Sequence, residues 1–122
     1  KIKALELSTS LEKIIGIISN NGIGCSYVKA SKNKKIIAGL ITDGDLRRAL
    51  KTYKPKEWVN LKANKIMTVN PLTVNPDMLA IDALNLMEKK EKGISVLPVV
   101  KKGTNEIIGL LRLHDIIQTG LK

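Results

Sequence analysis

The sequence predicts an α+β fold made of two copies of one β-α-β-β-α unit, and three observations predict it. The chain repeats itself, with a first copy ending near Lys51 and a second beginning near Ala63. Each copy carries a stretch of helical spacing, then two short apolar runs of strand character, then a short amphipathic helix. The core formers are Ile, Leu and Val, since 122 residues hold two Tyr, one Trp and no Phe, a make-up that suits a β-rich or α/β interior.

The elements follow in order. A short strand is expected at Ile2 to Leu5. Leu11, Ile14, Ile15, Ile17 and Ile18 then recur at helical spacing, and Asn21-Gly22-Ile23-Gly24 turns the chain into the strand Cys25-Ser26-Tyr27-Val28. The polar turn Lys32-Asn33-Lys34-Lys35 leads to a strand over Ile36 to Ile41, and Asp45-Leu46-Arg47-Arg48-Ala49-Leu50 reads as the closing helix. Lys54-Pro55-Lys56-Glu57-Trp58 reads as a linker that Pro55 keeps out of helix. The second copy has a short strand at Leu72-Thr73-Val74, a helix on Ala80, Ala83, Leu84, Leu86 and Met87, and Gly93-Ile94 before the strand Ser95 to Val100. A polar turn over Lys101 to Glu106, a strand over Ile107 to Leu111 and a helix over Asp115 to Gln118, stopped by Thr119-Gly120, complete it. The boundaries are therefore 1–53 for the first motif, 54–62 for the linker and 63–122 for the second motif. Neither copy alone covers both faces of so small a sheet, so pseudo-twofold pairing of the two is the economical way to close a core, and the cleft it creates is the expected functional site.

Composition narrows the function. The length suits one ordinary domain. The single Cys25 forms no intramolecular disulfide, and no stretch has the form of a signal peptide or membrane span, so a reducing cytoplasm is expected. The chain opens on Lys1 without Met, as a piece of a longer protein does. The formal net charge of +10 suits an anionic partner, but scattered lysines in an Ile-, Asn- and Lys-rich chain are more simply a matter of genome composition.

The sharpest local signal is Gly39-Leu40-Ile41-Thr42-Asp43-Gly44-Asp45, an apolar strand that delivers Thr and Asp to the mouth of a helix. An anion there meets free backbone N–H groups and the positive end of the helix dipole. Thr42 can donate to a phosphate oxygen, Asp45 can accept both hydroxyls of a ribose, and Arg47 and Arg48 can complete a phosphate clamp. Thr-x-x-Asp before an apolar run is equally a capping box, with Thr42 at the N-cap. The second copy reads Gly109-Leu110-Leu111-Arg112-Leu113-His114-Asp115, keeping the Asp and placing Arg112 where Thr stood. A cap loses its first partner by that change, whereas a phosphate site exchanges a hydroxyl for a guanidinium, which favours ligand binding. His114, the only histidine, stands without further ligands at metal spacing, and Cys25 has no base nearby in sequence. No phosphate loop, dinucleotide fingerprint or nucleophile elbow is present, so no catalytic residue, metal or cofactor is expected. Few aromatics and no zinc spacing leave nucleic acid with charge as its only support.

Met67-Thr68-Val69-Asn70-Pro71-Leu72-Thr73-Val74, Leu97-Pro98-Val99-Val100 and the Gly-apolar-apolar-x-x-x-Asp segments together resemble the cystathionine-β-synthase (CBS) motif, over nearly the whole chain and in two copies. The Ile41 to Ala49 segment, the Leu113-His114-Asp115-Ile116-Ile117 run and the Thr119-Gly120-Leu121 ending are similar to the C-terminal region of D-arabinose-5-phosphate isomerases of the KpsF/GutQ type. In that family a sugar isomerase (SIS) domain precedes the CBS pair and does the chemistry, for Kdo, lipopolysaccharide or capsule synthesis. The resemblance implies a regulatory, non-catalytic pair that binds an adenosine nucleotide or a sugar-phosphate-type anion, dimerises through its CBS motifs, and needs neither nucleic acid nor membrane. Thr42, Asp45 and Asp115 match its phosphate- and ribose-binding positions. The full expected set is Gly24, Thr42, Asp43, Asp45, Arg47 and Arg48, with Thr68, Pro71, Thr73, Ser95, Leu97, Pro98, Arg112, His114 and Asp115 from the second copy. The chain departs from the family pattern at Arg112, where Thr or Ser is usual, and at Tyr27, which stands where the second copy has Pro98. A structural pair without ligand, or the CBS pair of a sugar nucleotidyltransferase, is the alternative.

Overall fold

The computed structural model describes residues 3–78, 80–89 and 95–113. The chain divides into two compact units, Lys1–Asn70 and Pro71–Lys122.

In the first unit the order is β1 (Leu5–Glu6), α1 (Leu11–Asn20), β2 (Cys25–Ser31), β3 (Lys34–Thr42), α2 (Asp43–Thr52), a 3-10 helix (Pro55–Asn60), α3 (Ala63–Ile66) and β4 (Thr68–Val69). The four strands form one sheet in the order β1-β2-β3-β4, with β1 parallel to β2 and the other pairs antiparallel. Ser10 caps α1 by accepting from the Lys13 N–H at 3.3 Å. The helix turns Leu11, Ile14 and Ile18, one stripe at i, i+3 and i+7, onto the sheet residues Leu5, Val28 and Ile41. Asn21 builds the exit turn, donating to the Cys25 carbonyl at 2.8 Å and accepting from the Ile23 N–H at 3.0 Å.

Pro55 begins a helical turn here where a non-helical linker was expected. It takes the first position of the 3-10 helix, where its missing N–H would have no partner in any case. The Lys54 N–H donates to Glu57 at 2.7 Å, and the Trp58 indole donates to the Tyr53 carbonyl at 2.9 Å. The chain then returns to the first unit: Leu11 N–H donates to the Leu61 carbonyl, and Ala63 and Asn64 donate to the carbonyls of Thr9 and Leu7. Leu61, Ala63 and Ile66 enter the first core as a result. β4 follows, lying so close to β3 that a Cβ at Gly39 would sit 2.8 Å from Met67 Cγ and 2.9 Å from the Thr68 carbonyl oxygen. Gly39→Ala is therefore expected to lose about 1–3 kcal/mol by forcing β4 off its neighbour, read as a lower denaturation midpoint by the fluorescence of Trp58.

The second unit contains α4 (Ala80–Lys89), β5 (Val96–Val100) and β6 (Ile107–Arg112). Its core gathers Val74, Ala83, Met87 and Leu97. The strand expected over Leu72-Thr73-Val74 contracts to a parallel bridge between Val74 and Val99, held by Val74 N–H to Pro98 carbonyl at 3.0 Å and Val100 N–H to Val74 carbonyl at 2.8 Å. The first unit matches this with Leu5 opposite Val28, so the first short strand is Leu5–Glu6 among the described residues, and Ile2, where it was expected to begin, lies outside them. The expected helix over Asp115 to Gln118 and the Gly93-Ile94 turn lie outside the described residues.

Internal registers of the two units agree in detail. Cys25 faces Thr42 as Val96 faces Arg112, Tyr27 faces Leu40 as Pro98 faces Leu110, and Val28 faces Gly39 as Val99 faces Gly109. Each hairpin shifts register directly after that last valine. The repeat is thus written in backbone hydrogen bonds as well as in residues.

Candidate functional site

The Thr42–Asp45 segment sits where β3 ends and α2 begins. Leu40 and Ile41 are buried, so the strand is anchored, and Thr42 is the first half-exposed residue after them. Thr42 is the N-cap of α2, with extended backbone at φ −111° and ψ 172°. The capping box is complete: Asp45 N–H donates to Thr42 Oγ1 at 3.3 Å, and Thr42 N–H donates to Asp45 Oδ2 at 2.9 Å.

Asp45 does more than cap. Its side chain is almost wholly buried, and four donors converge on its carboxylate. Oδ2 accepts from the Thr42 N–H and from the Thr42 hydroxyl at 3.2 Å. Oδ1 accepts from Arg48 Nη1 at 2.8 Å and from the Thr68 hydroxyl at 3.0 Å. A carboxylate offers about four lone-pair directions, so every acceptor position is taken. Arg48 balances the charge from a side chain that is 68% exposed, which leaves the pair largely screened and its Coulombic worth small. Arg47 is exposed beside it.

Gly24 forms the opposite lip. Its φ of +74° suits glycine, its carbonyl accepts from the Asp43 N–H at 3.1 Å, and a Cβ added to it would lie 2.8 Å from Asp43 Oδ2. Asp43 itself is exposed. The second unit repeats this contact, with Leu113 N–H donating to the Ser95 carbonyl at 2.7 Å. Arg112 is half-buried at the register position of Thr42. His114 and Asp115, expected to complete the second copy's site, lie outside the described residues.

The remaining expected residues are distributed differently. Leu97 and Pro98 have fully buried side chains, and the Pro98 carbonyl accepts from the Val74 N–H. Pro71 and Thr73 are half-buried, and Thr73 lines a polar groove of about 310 Å³ with Asn75, Lys102 and Asn105. Thr68, read as part of the second copy, instead joins Asp45 in the first unit. Sequence reasoning missed that partnership because the two residues are 23 positions apart; the available signal was Gly39, whose missing side chain lets β4 approach. Tyr27, at the register position of Pro98, is half-buried, and burial pushes its hydroxyl pKa up, so it stands as a neutral phenol. Among the described residues no three His, Cys, Asp or Glu side chains gather as a metal site, and no helix is long and apolar enough to cross a membrane.

The CBS domain family model matches residues 1–52 and 63–122. The arabinose 5-phosphate isomerase KdsD of Francisella tularensis is 34% identical over the whole of this chain, which covers 35% of that protein. An uncharacterized protein of Rickettsia prowazekii is 39% identical over 93% of the chain and is 32% covered. The chain thus spans about a third of the length of the curated relatives it matches. Among solved structures, CBSX2 in complex with AMP superposes with a TM-score of 0.77 at 21% identity, over 98% of this chain and 87% of that one.

Proposed function

Since the chain belongs to the CBS domain family, we propose that it is a regulatory ligand-binding pair that takes an adenosine nucleotide or a similar phosphate-bearing anion at the mouth of α2. The observation that carries this reading is the convergence at one helix start of the Thr42 hydroxyl, the buried Asp45 carboxylate, the Gly24 backbone and two arginines. A phosphate finds the N-terminus of α2 and the guanidinium groups of Arg47 and Arg48, and a ribose finds a carboxylate. Arg112, on the same register in the second copy, supplies an equivalent anion contact there.

The same reading makes this chain a non-catalytic part of a longer protein. Its relatives include arabinose 5-phosphate isomerases of which it spans about a third, so the rest of the parent carries aldose-ketose isomerisation in a separate sugar isomerase domain. The pair reports a cytoplasmic nucleotide or sugar-phosphate level to that domain and dimerises through its CBS motifs.

A second reading is favoured by one observation: the capping box is complete and the Asp45 carboxylate is fully engaged without any ligand. On that reading the pair is a structural dimerisation module. A thermal-shift screen with AMP, ADP, ATP, S-adenosylmethionine, CMP-linked sugars and pentose phosphates separates the two. A binder at a hundredfold excess over its Kd is expected to raise the melting temperature by roughly 10 °C, an increase that Arg47→Ala diminishes. An unchanged melt across the panel favours the structural module.

A further inference from the structure

We infer that Asp45 is a contested acceptor: in the free chain the Thr68 hydroxyl occupies the carboxylate oxygen that a ligand hydroxyl takes on binding, so that occupancy of the first motif releases β4. This rests on the ligand-binding reading above and adds how that site signals.

The argument is one of counting. All four acceptor directions of Asp45 are filled by Thr42 N–H, Thr42 Oγ1, Arg48 and Thr68, and the side chain is almost wholly buried. A ligand diol that donates to this carboxylate therefore displaces a partner already bound. The Thr42 N–H belongs to the capping box, and losing it opens the first turn of α2, while the Thr42 hydroxyl is held against the same carboxylate by its own cap bond from the Asp45 N–H. Arg48 rides on the same helix, three residues on, and supplies the only cation paired with the carboxylate among the described residues.

Thr68 is the partner most easily displaced. It is exposed and sits on a strand of two residues, paired to β3 only through Leu40↔Thr68 and Gly39↔Val69. A ligand hydroxyl replaces its hydroxyl like for like, donor for donor, without changing the charge around Asp45. β4 is also the last element of the first unit, from which the chain runs through Asn70, at φ 47°, to Pro71, where the second unit begins. Its release thus passes directly to the segment that joins the two units.

Calorimetric titration of wild type, Thr68→Val and Thr68→Ser with AMP and with 2′,3′-dideoxy-AMP tests this. Val keeps the β-branched shape and removes the competing hydroxyl, so AMP is expected to bind Thr68→Val about tenfold more tightly, the factor one hydrogen bond to a charged group represents. Dideoxy-AMP, which has no hydroxyl to compete, is expected to bind wild type and Thr68→Val equally, and Thr68→Ser is expected to match wild type. Hydrogen exchange of wild type supplies a readout that needs no variant: AMP is expected to speed exchange in the peptide spanning β4. Equal AMP affinities in wild type and Thr68→Val, or slower exchange in β4 on binding, overturn the inference while leaving the ligand site standing. Silence of every protein toward both nucleotides overturns the adenosine-nucleotide form of the ligand-binding reading and this inference together.

Discussion

Asp45→Ala is expected to lower the stability of the first unit by about 1–3 kcal/mol, beyond the usual surface substitution. The cost is that of leaving the Thr42 N–H without its acceptor at the start of α2, on the order of 1–3 kcal/mol, while the Thr42 side chain still caps the N–H of residue 45 and the exposed Thr68 hydroxyl hydrates. Arg48 adds little, because its guanidinium is mostly exposed and hydrates when the partner is lost. Trp58, the only tryptophan, packs against the first core, so its fluorescence in a denaturant titration reads this unit directly. A midpoint that does not move would mean that the convergence on Asp45 carries no stability. Asp45→Ala is also expected to abolish nucleotide binding at temperatures where the variant is still folded.

Leu97→Ala is expected to cost about 2–5 kcal/mol, the range for truncating a buried leucine. Leu97 is wholly buried, faces Leu111 across the β5–β6 pair and packs with Val74, Ala83 and Met87. Its removal opens a cavity that a core with no Phe has few large neighbours to fill. Far-UV circular dichroism during thermal unfolding measures the effect. A shift of less than about 1 kcal/mol would place Leu97 at a surface, the position that a ligand-lining role requires.

Those two residues also mark how much was legible in the sequence. The β-α-β-β-α unit was readable because Ile14 and Ile18 keep helical spacing and the strands carry short apolar runs between Gly- and Lys-rich turns. Alignment of the copies placed Arg112 against Thr42 and Tyr27 against Pro98, and the strand registers give the same pairs. The path of the chain after Pro55 was not readable. Pro55 starts a 3-10 turn, and Leu61, Ala63 and Ile66 fold back into the first core through contacts some fifty residues apart in sequence, such as Leu11 N–H to Leu61 carbonyl. No local pattern encodes such a return. At the site, Thr42 and Asp45 could be read both as a cap and as ligand contacts, and the structure supplies the cap in full. Thr68 could be named as a site residue but not as the partner of Asp45, because that pairing depends on how closely β4 passes Gly39. Leu97 and Pro98 belong to the expected ligand-binding set, whereas both side chains are fully buried.

Amide correlation spectra of the isotope-labelled chain during titration with AMP test the central claim most directly. The account expects saturable changes centred on Gly24, Thr42 to Asp45 and Thr68, the residues that meet at the mouth of α2. Spectra unchanged at millimolar AMP, or changes confined to residues far from that helix start, would contradict it.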